Sequence, residues 1–232
     1  MKLSTLQGII ERRILVNFTA DPATIQKILP AGFRPQIYNG KAIAGICLIR
    51  LKHVRPKGFP AFTGIASENA AHRIAVEWTK NGEIKTGVYI PRRDTSSLFN
   101  TWAGGRVFPG KHFHASFDVK EEKGSFQINI RHSAKTIVSL SAETAAQFSH
   151  QSIFSSLENA SRFFENGAVG YSPNEDKLEG LELRTFNWKV TPLHVTAVQS
   201  GFFENESVFP AGTVQFDNAL LMTDMLHEWR SV

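Results

Sequence analysis

Two asparagine–glycine pairs, each between segments rich in apolar and β-branched residues, most constrain what this chain can fold into. Asn39-Gly40 and Asn81-Gly82 are the strongest short hairpin signals, because both turn positions tolerate a positive φ angle. The sequence therefore predicts two antiparallel hairpins. Their strands are expected at 33–38 and 41–54 for the first hairpin, and at 70–79 and 84–90 for the second.

Further strands are predicted on both sides of these hairpins. Residues 12–18 alternate enough for a strand, and 113–119 pairs with 125–131 through the charged loop Lys120–Gly124, which suits an exposed longer connection. Strand signals return at 181–203. The apolar tail 219–229 is ambiguous between strand and helix.

Helix signals are few. Asp21-Pro22 supplies an N-cap and a first-turn proline for a short helix that ends near Pro30. Asp94 or Thr95 can cap a second short helix that ends before Gly104, and Ser155–Glu158 is a capping box before a third helix that ends at Gly167. The third helix has an apolar stripe that we expect to pack against a sheet.

These elements predict an α+β protein that is mainly antiparallel β. Because no β-α-β rhythm, linker or repeat interrupts the strands, we expect a closed or cone-shaped β-barrel with a few flanking helices. With 232 residues, 42% of them hydrophobic, the chain can bury a sizeable core. We therefore expect one domain spanning residues 1–232.

Composition restricts the partners. The net charge of +5 is spread along the chain, which disfavours nucleic acid and favours small anionic molecules. The first eight residues are too short and polar for a signal peptide, and no apolar run is long enough to cross a bilayer, so we expect a cytoplasmic protein without a membrane partner. The single Cys47 is expected as a small core residue in a reducing compartment.

The stretch Pro109-Gly110-Lys111-His112 carries the main chemical hypothesis. In a strand, Lys111 shares a face with Phe113, whereas His112 and His114 share the opposite face. If the apolar face lines a cavity, Lys111 points inward as a desolvated amine; if the histidine face does, His112 and His114 form a polar acid–base pocket. A His-x-His pair can bind a metal, but no third ligand is evident, so no metal is expected.

Several motifs follow one another in an order that resembles a known group of proteins. They are Glu11-Arg12-Arg13 in the first strand, the helix end Ile28-Leu29-Pro30, the acidic segment Ala66–Asn69, and Gly105-Arg106 leading into Phe108–Lys111. In this order the chain resembles the acetoacetate decarboxylase-like superfamily, within the branch of uncharacterised bacterial conserved proteins.

The resemblance implies Schiff-base chemistry on a small keto acid or other carbonyl compound, without a cofactor. Catalytic decarboxylases of this superfamily carry an aromatic residue, a proline and two lysines. Here the aromatic residue falls on Phe108, the nucleophilic lysine on Gly110, and the supporting lysine on Lys111. Either Lys111 shifts by one residue to act as the nucleophile, or the protein has the pocket without lysine chemistry. We do not expect decarboxylation.

The resemblance also assigns supporting roles. Glu68 matches the catalytic acid, and Arg12 or Arg13 matches the arginine that holds the substrate carboxylate, a role suited to its planar fork. Three further arginines are alternative anion-binding groups without support from the resemblance, namely Arg73, Arg92 and Arg93.

Three functional hypotheses remain open. The first is a carbon–carbon lyase with catalytic Lys111, Glu68 and His112, and with Arg12, Arg13, Phe108 and His114 at the substrate. The second is a non-catalytic protein that binds a small carbonyl or carboxylate ligand in the same cavity. The third is a structural or subunit-interaction protein. The resemblance to the acetoacetate decarboxylase-like superfamily also implies a homo-oligomer.

Overall fold

The computed structural model describes residues 5–103 and 109–232. Within these ranges fourteen strands belong to one sheet. The strands are β1 (Thr5–Ala20), β2 (Arg34–Pro35), β3 (Ile37–Tyr38), β4 (Lys41–Pro56), β5 (Ile65–Lys80), β6 (Glu83–Thr95), β7 (His112–His114), β8 (Ser116–Glu122), β9 (Ser125–His132), β10 (Lys135–Thr144), β11 (Val169–Asn174), β12 (Lys177–Thr185), β13 (Thr191–Ser200) and β14 (Val214–Ser231).

The helices are short and lie outside the sheet hydrogen bonding. They are α1 (Pro22–Gln26), a 3-10 helix (Ala61–Thr63), α2 (Leu98–Ala103) and α3 (Leu157–Glu165). The predicted cap of α1 is present, because the Asp21 carboxylate accepts a hydrogen bond from the Thr24 amide at 2.7 Å. The cap of α3 is Ser156, one residue after the start of the predicted capping box, and its hydroxyl accepts a hydrogen bond from the Asn159 amide at 3.1 Å. The predicted caps of α2, Asp94 and Thr95, instead belong to β6, and the Asn100 amide of α2 donates to the Ser97 hydroxyl at 3.2 Å. No helix in the described ranges is long and apolar enough to span a membrane.

Seven strands close into a ring in the order β1, β4, β5, β6, β11, β12, β14, because β14 pairs with β1 over almost its full length. The ring is antiparallel except where β6 runs parallel to β11. Strands β13, β10, β9 and β8 continue from β14 as a second layer. This architecture confirms the predicted fold class of mainly antiparallel strands with few helices.

Both asparagine–glycine turns are present, with positive φ angles at Asn39, Gly40, Asn81 and Gly82. One prediction needs correction, and one alternative that the sequence left open is decided. The expected long loop after β8 is a two-residue turn at Lys123-Gly124, because the charged residues before it continue the exposed strand. The ambiguous tail is the strand β14, because its alternate residues pack against the core beside β1.

The ring has two differently packed faces, and the second layer covers one of them. Apolar residues of β9 and β10 pack against β1, β4 and β5 in a core that includes Ile14, Ile46, Ile128 and Leu140. On the other face α3 contributes Ala160 and Phe164 to a separate core, as the apolar stripe predicts. The space that this second face leaves unfilled is the cavity described below.

A network of ion pairs joins β8 to the ring on the face covered by the second layer. The Arg12 guanidinium, in a residue only 2% exposed, contacts the carboxylates of Glu68 at 2.6 Å and of Glu121 on β8. Arg50 contacts the same two carboxylates. Because removal of one partner from a buried ion pair leaves an uncompensated charge, loss of any one of these four groups would weaken the docking of β8.

His72 is a buried histidine in the core of the same face. Its ring is 1% exposed, its Nε2 lies 3.1 Å from the Ser200 hydroxyl, and its centroid lies 4.7 Å from that of Phe202. Burial, with a smaller contribution from the charge of Arg92, lowers the pKa of His72 to about 3. Burial likewise lowers the pKa of His112 to about 3 and of His227 to about 4.

We predict acid-sensitive stability from these three histidines. Each is neutral in the folded protein and protonates near pH 6.5 when unfolded, so its contribution to stability is present above pH 6.5 and is lost as the pH falls towards the folded pKa. Each group lowers the free energy of unfolding by about 1.4 kcal/mol per pH unit in that window. His72→Phe should reduce the slope of unfolding free energy against pH, measured by urea denaturation from pH 6 to pH 4, by about one proton. An unchanged slope, equal to that of the exposed control His150→Gln, would contradict this account.

Candidate functional site

The interior of the ring contains two adjoining spaces, which we call the outer and the inner chamber. The outer chamber, of about 70 Å³, has polar lining groups that include Ser67, Asn69, Asn100 and His112. The inner chamber, of about 100 Å³, is lined by residues that include Arg13, Arg73 and Gly170. Both are bordered by the same six residues, which we call the junction: Cys47, Ile49, Ala71, Arg93, Leu181 and Trp229.

Strand alternation decides which side chains reach this cavity. Ile49 pairs with Asn69, and Cys47 with Ala71, and all four residues line the cavity. The intervening pair Arg50 and Glu68 therefore points to the opposite face of the sheet. The two neighbouring arginines of β1 are separated in the same way, because Arg13 pairs with Ile49 and Arg12 with Arg50.

Arg93 is the charged residue at the junction. Its Nε donates a hydrogen bond to the Ser172 hydroxyl at 2.9 Å. Within the described residues no carboxylate lies within 4.0 Å of its guanidinium group. Burial lowers the pKa of Arg93 to about 10, so the group stays positively charged at neutral pH. A cation of this kind in the wall of a cavity attracts an anionic ligand.

His112 lies next to Arg93, because β7 pairs in parallel with β6 and sets these two residues opposite each other. Its Nδ1 lies 3.2 Å from the Gly110 carbonyl oxygen, a contact in which Nδ1–H donates and Nε2 is the basic nitrogen. Burial, followed by the charge of Arg93, lowers the pKa of His112 to about 3. The ring is therefore a neutral hydrogen-bonding group in the outer chamber at physiological pH.

Gly110 occupies a position that only glycine fits. Its φ angle is +76°, and a Cβ atom there would lie 2.5 Å from the Cβ of Ser172. Ser172 is 1% exposed and is also the partner of Arg93, so it has little room to move. The glycine at the expected nucleophile position is thus built into the packing beside the cavity.

The inner chamber contains two further arginines. Arg73 is 4% exposed, its guanidinium donates a hydrogen bond to the Asn17 side-chain oxygen, and its Cζ lies 4.8 Å from the Phe164 ring centroid. Burial lowers the pKa of Arg73 to about 10. The Nε of Arg13 donates a hydrogen bond to the Cys47 sulfur at 3.2 Å, which joins the inner chamber to the junction.

The structure brings only part of the predicted site together. Arg13 and His112 line the cavity. Of the two alternatives for the strand face at 111–114, the one in which His112 points into the cavity therefore agrees with the structure. Lys111 is exposed, with its Nζ 5.2 Å from the Phe113 ring centroid, and it is absent from the described lining. His114 is also exposed, because β7 ends there at the surface.

Glu68 and Arg12 lie in the ion-pair network on the other face of the sheet, and Phe108 lies outside the described residues. The roles assigned to Lys111, Glu68 and Arg12 stay predictions, but none of these residues is among the described residues that line the two chambers. The physical reason is that neighbouring residues of a strand point to opposite faces of the sheet. A candidate that is one position away from a cavity residue therefore points away from the cavity. Among the described residues no group of three His, Cys, Asp or Glu side chains could hold a metal ion.

Sequence reasoning missed several cavity residues. It placed Cys47 only in the core and did not single out Asn69 or Asn100, and it named Arg73 and Arg93 only as alternatives. The available signal was the face alternation of β5, because Ser67, Asn69, Ala71 and Arg73 are two residues apart. The register against β4 was needed to show that this set, rather than the set of Glu68, faces inward.

Comparison with known proteins agrees with this architecture. A family model described as DUF2071, uncharacterized conserved protein, matches residues 10–220. No curated protein matches the sequence. The acetoacetate decarboxylase from Legionella pneumophila superimposes with a TM-score of 0.64 at 11% identity, covering 100% of this chain and 90% of that one.

Two other solved structures are similar. An acetoacetate decarboxylase-like enzyme from Sphingomonas wittichii RW1 gives a TM-score of 0.59 at 12% identity, covering 100% of this chain and 92% of that one. The enduracididine biosynthesis enzyme MppR, complexed with the condensation product of pyruvate and imidazole 4-carboxaldehyde, gives 0.63 at 10% identity, covering 99% and 88%. These likenesses show an acetoacetate decarboxylase-like fold, and the chain belongs to the DUF2071 family of uncharacterized conserved proteins.

Proposed function

We propose that this protein binds a small carbonyl compound with a carboxylate group in the cavity of its ring. The observation that carries the proposal is Arg93, a cation at the junction of the two chambers without a carboxylate partner in the described residues. Arg93 is half-buried, so its charge is only partly solvated, and a ligand carboxylate would pair with it.

The outer chamber supplies polar groups suited to the rest of such a ligand. Asn69 and Asn100 have side-chain amides, Ser67 has a hydroxyl, and His112 has a neutral imidazole. The Asn100 amide nitrogen donates to the Ser67 and Thr95 hydroxyls, whereas its side-chain oxygen is buried without a hydrogen-bond partner in the described residues. Amides and hydroxyls of this kind can hydrogen-bond to a ligand carbonyl or hydroxyl group.

Similar structures support a ligand of this class by analogy. One of them, MppR, was solved in complex with pyruvate. The positive charge of Arg93 at the junction suits the carboxylate of a small 2-oxo acid. Binding, rather than imine formation at Lys111, is the function that the geometry favours, because Lys111 is exposed and does not line either chamber. The homo-oligomer and the cytoplasmic location stay predictions.

We expect pyruvate to bind and its neutral methyl ester to bind at least tenfold more weakly, because the ester lacks the charge that pairs with Arg93. In Arg93→Gln the affinity for pyruvate should fall at least tenfold, or about 1.4 kcal/mol, as measured by calorimetric titration. Arg131→Gln is the matched control, since it removes the same charge from an exposed position on β9. Equal affinity for pyruvate in the wild type and in Arg93→Gln would refute the proposal.

A second prediction concerns Lys111. With pyruvate and sodium borohydride, peptide mass spectrometry should show no more reductive labelling at Lys111 than at Lys123, whose side chain is 90% exposed. Both amines are solvated, so neither has an advantage in forming an imine. Selective and stoichiometric labelling of Lys111 would instead establish the Schiff-base lyase predicted from the resemblance.

A third prediction concerns Gly110. Gly110→Ala should destabilise the protein by about 1–2 kcal/mol for the left-handed backbone, with about 1–3 kcal/mol more for the collision with Ser172. Because Ser172 holds Arg93, pyruvate affinity should fall as well. Chemical denaturation and titration of the same variant measure both effects. Wild-type stability in Gly110→Ala would show that this packing does not constrain the position.

A further inference from the structure

The inner chamber adds positive charge that a single carboxylate at Arg93 does not neutralise. Arg13 and Arg73 both line this chamber, and Arg93 lines it from the junction. Within the described residues none of the three guanidinium groups has a carboxylate within 4.0 Å. The cavity therefore has three arginines without an acidic partner in the described part of the chain. The carboxylate of Asp94 also lines the outer chamber, but it is paired with Arg92.

Of the three cavity arginines Arg73 is buried and Arg13 and Arg93 are half-buried, and the well-buried charges elsewhere in the described residues provide an internal comparison. Arg12, which is 2% exposed on the opposite face, contacts the two carboxylates of Glu68 and Glu121. Asp94, which is 0% exposed, is matched by Arg92 at 2.8 Å. Lack of pairing is therefore a property of the cavity arginines, and it is the arrangement expected of a site whose counter-charge arrives with a ligand.

The packing around Arg73 holds its charge in place. Gly45 leaves the space for the guanidinium, because a Cβ atom there would lie 3.1 Å from the Arg73 Nη2. Phe164 and Asn17 position the group from two other sides. The Nε of Arg73 and the Nη1 of Arg13 nevertheless have no hydrogen-bond partner in the described residues, although both atoms are buried. The two arginines that line the inner chamber therefore have hydrogen-bonding capacity that the described residues leave unmet.

Strand geometry separates this group from Arg93. Arg93 lies opposite Ala71 in the sheet, and Arg73 is two residues farther along β5, a rise of about 7 Å. Of the two chambers Arg73 borders only the inner one, whereas Arg93 borders both; Arg73 and Arg13 also line a smaller space beside Phe164. A ligand that crosses the junction can therefore present one anionic group to Arg93 and another to Arg73 and Arg13.

We propose that the physiological ligand is a dicarboxylate, with one carboxylate bound by Arg93 and the second bound in the inner chamber by Arg73 and Arg13. The inference rests on the proposed function and specifies its ligand class. It explains why the ring interior contains three cations where a monocarboxylate needs one.

The test compares two five-carbon 2-oxo acids that differ only at the far end. 2-Oxoglutarate has a second carboxylate where 2-oxopentanoate has a methyl group. By calorimetric titration the wild-type protein should bind 2-oxoglutarate at least tenfold more tightly. Arg73→Gln should reduce this ratio to about threefold or less, because it removes the charge that pairs with the second carboxylate. Arg131→Gln controls for net charge, and thermal unfolding verifies that each variant is folded.

The outcomes separate the two proposals. Equal affinity of the wild type for the two acids, or a ratio that Arg73→Gln leaves unchanged, overturns the dicarboxylate inference while the proposed function stands. Absence of binding by both acids, together with absence of pyruvate binding, overturns both. A ratio that is lost in Arg73→Gln and in Arg13→Gln but retained in Arg131→Gln supports the inner subsite.

Discussion

The antiparallel pairing of β1 with β14 closes the ring, and the cavity depends on that closure. An open sheet would expose Arg13, Arg73 and Arg93 to water, where a guanidinium needs no partner. In the closed ring the same groups surround a confined space in which water cannot solvate them fully. Chain topology therefore places these strand arginines in the wall of a confined cavity.

Electrostatics differ sharply between the two faces of this sheet. On the outer face, Arg12 and Arg50 neutralise Glu68 and Glu121 and so attach β8 to the ring. On the inner face, the described arginines have only neutral partners such as Ser172 and Asn17. Arginines on the outer face thus form ion pairs, whereas arginines on the inner face have no carboxylate partner in the described residues. Alternation of side chains along a strand is enough to separate the two groups.

The fold was largely predictable, because its signals are local. Asn39-Gly40 and Asn81-Gly82 specify turns through backbone preferences that act within four residues, and Asp21 and Ser156 cap the helices that follow them. The tail was not predictable, since an apolar run of that length suits a strand or a helix until a partner strand is known. The acetoacetate decarboxylase-like resemblance was also sound, but it brought Glu68 and Lys111 forward as candidates by position alone.

The sequence by itself determined the strands, their turns, the fold class and the presence of arginines suited to a carboxylate ligand. Only the tertiary structure decided which member of each adjacent pair faces the cavity: Arg13 rather than Arg12, Asn69 rather than Glu68, and His112 rather than Lys111. The physical reason is that side chains along a strand alternate between the two faces of the sheet. A shift of one residue in the strand register therefore moves every side chain to the opposite face. That register is set by hydrogen bonds to strands distant in the sequence, which no local pattern encodes.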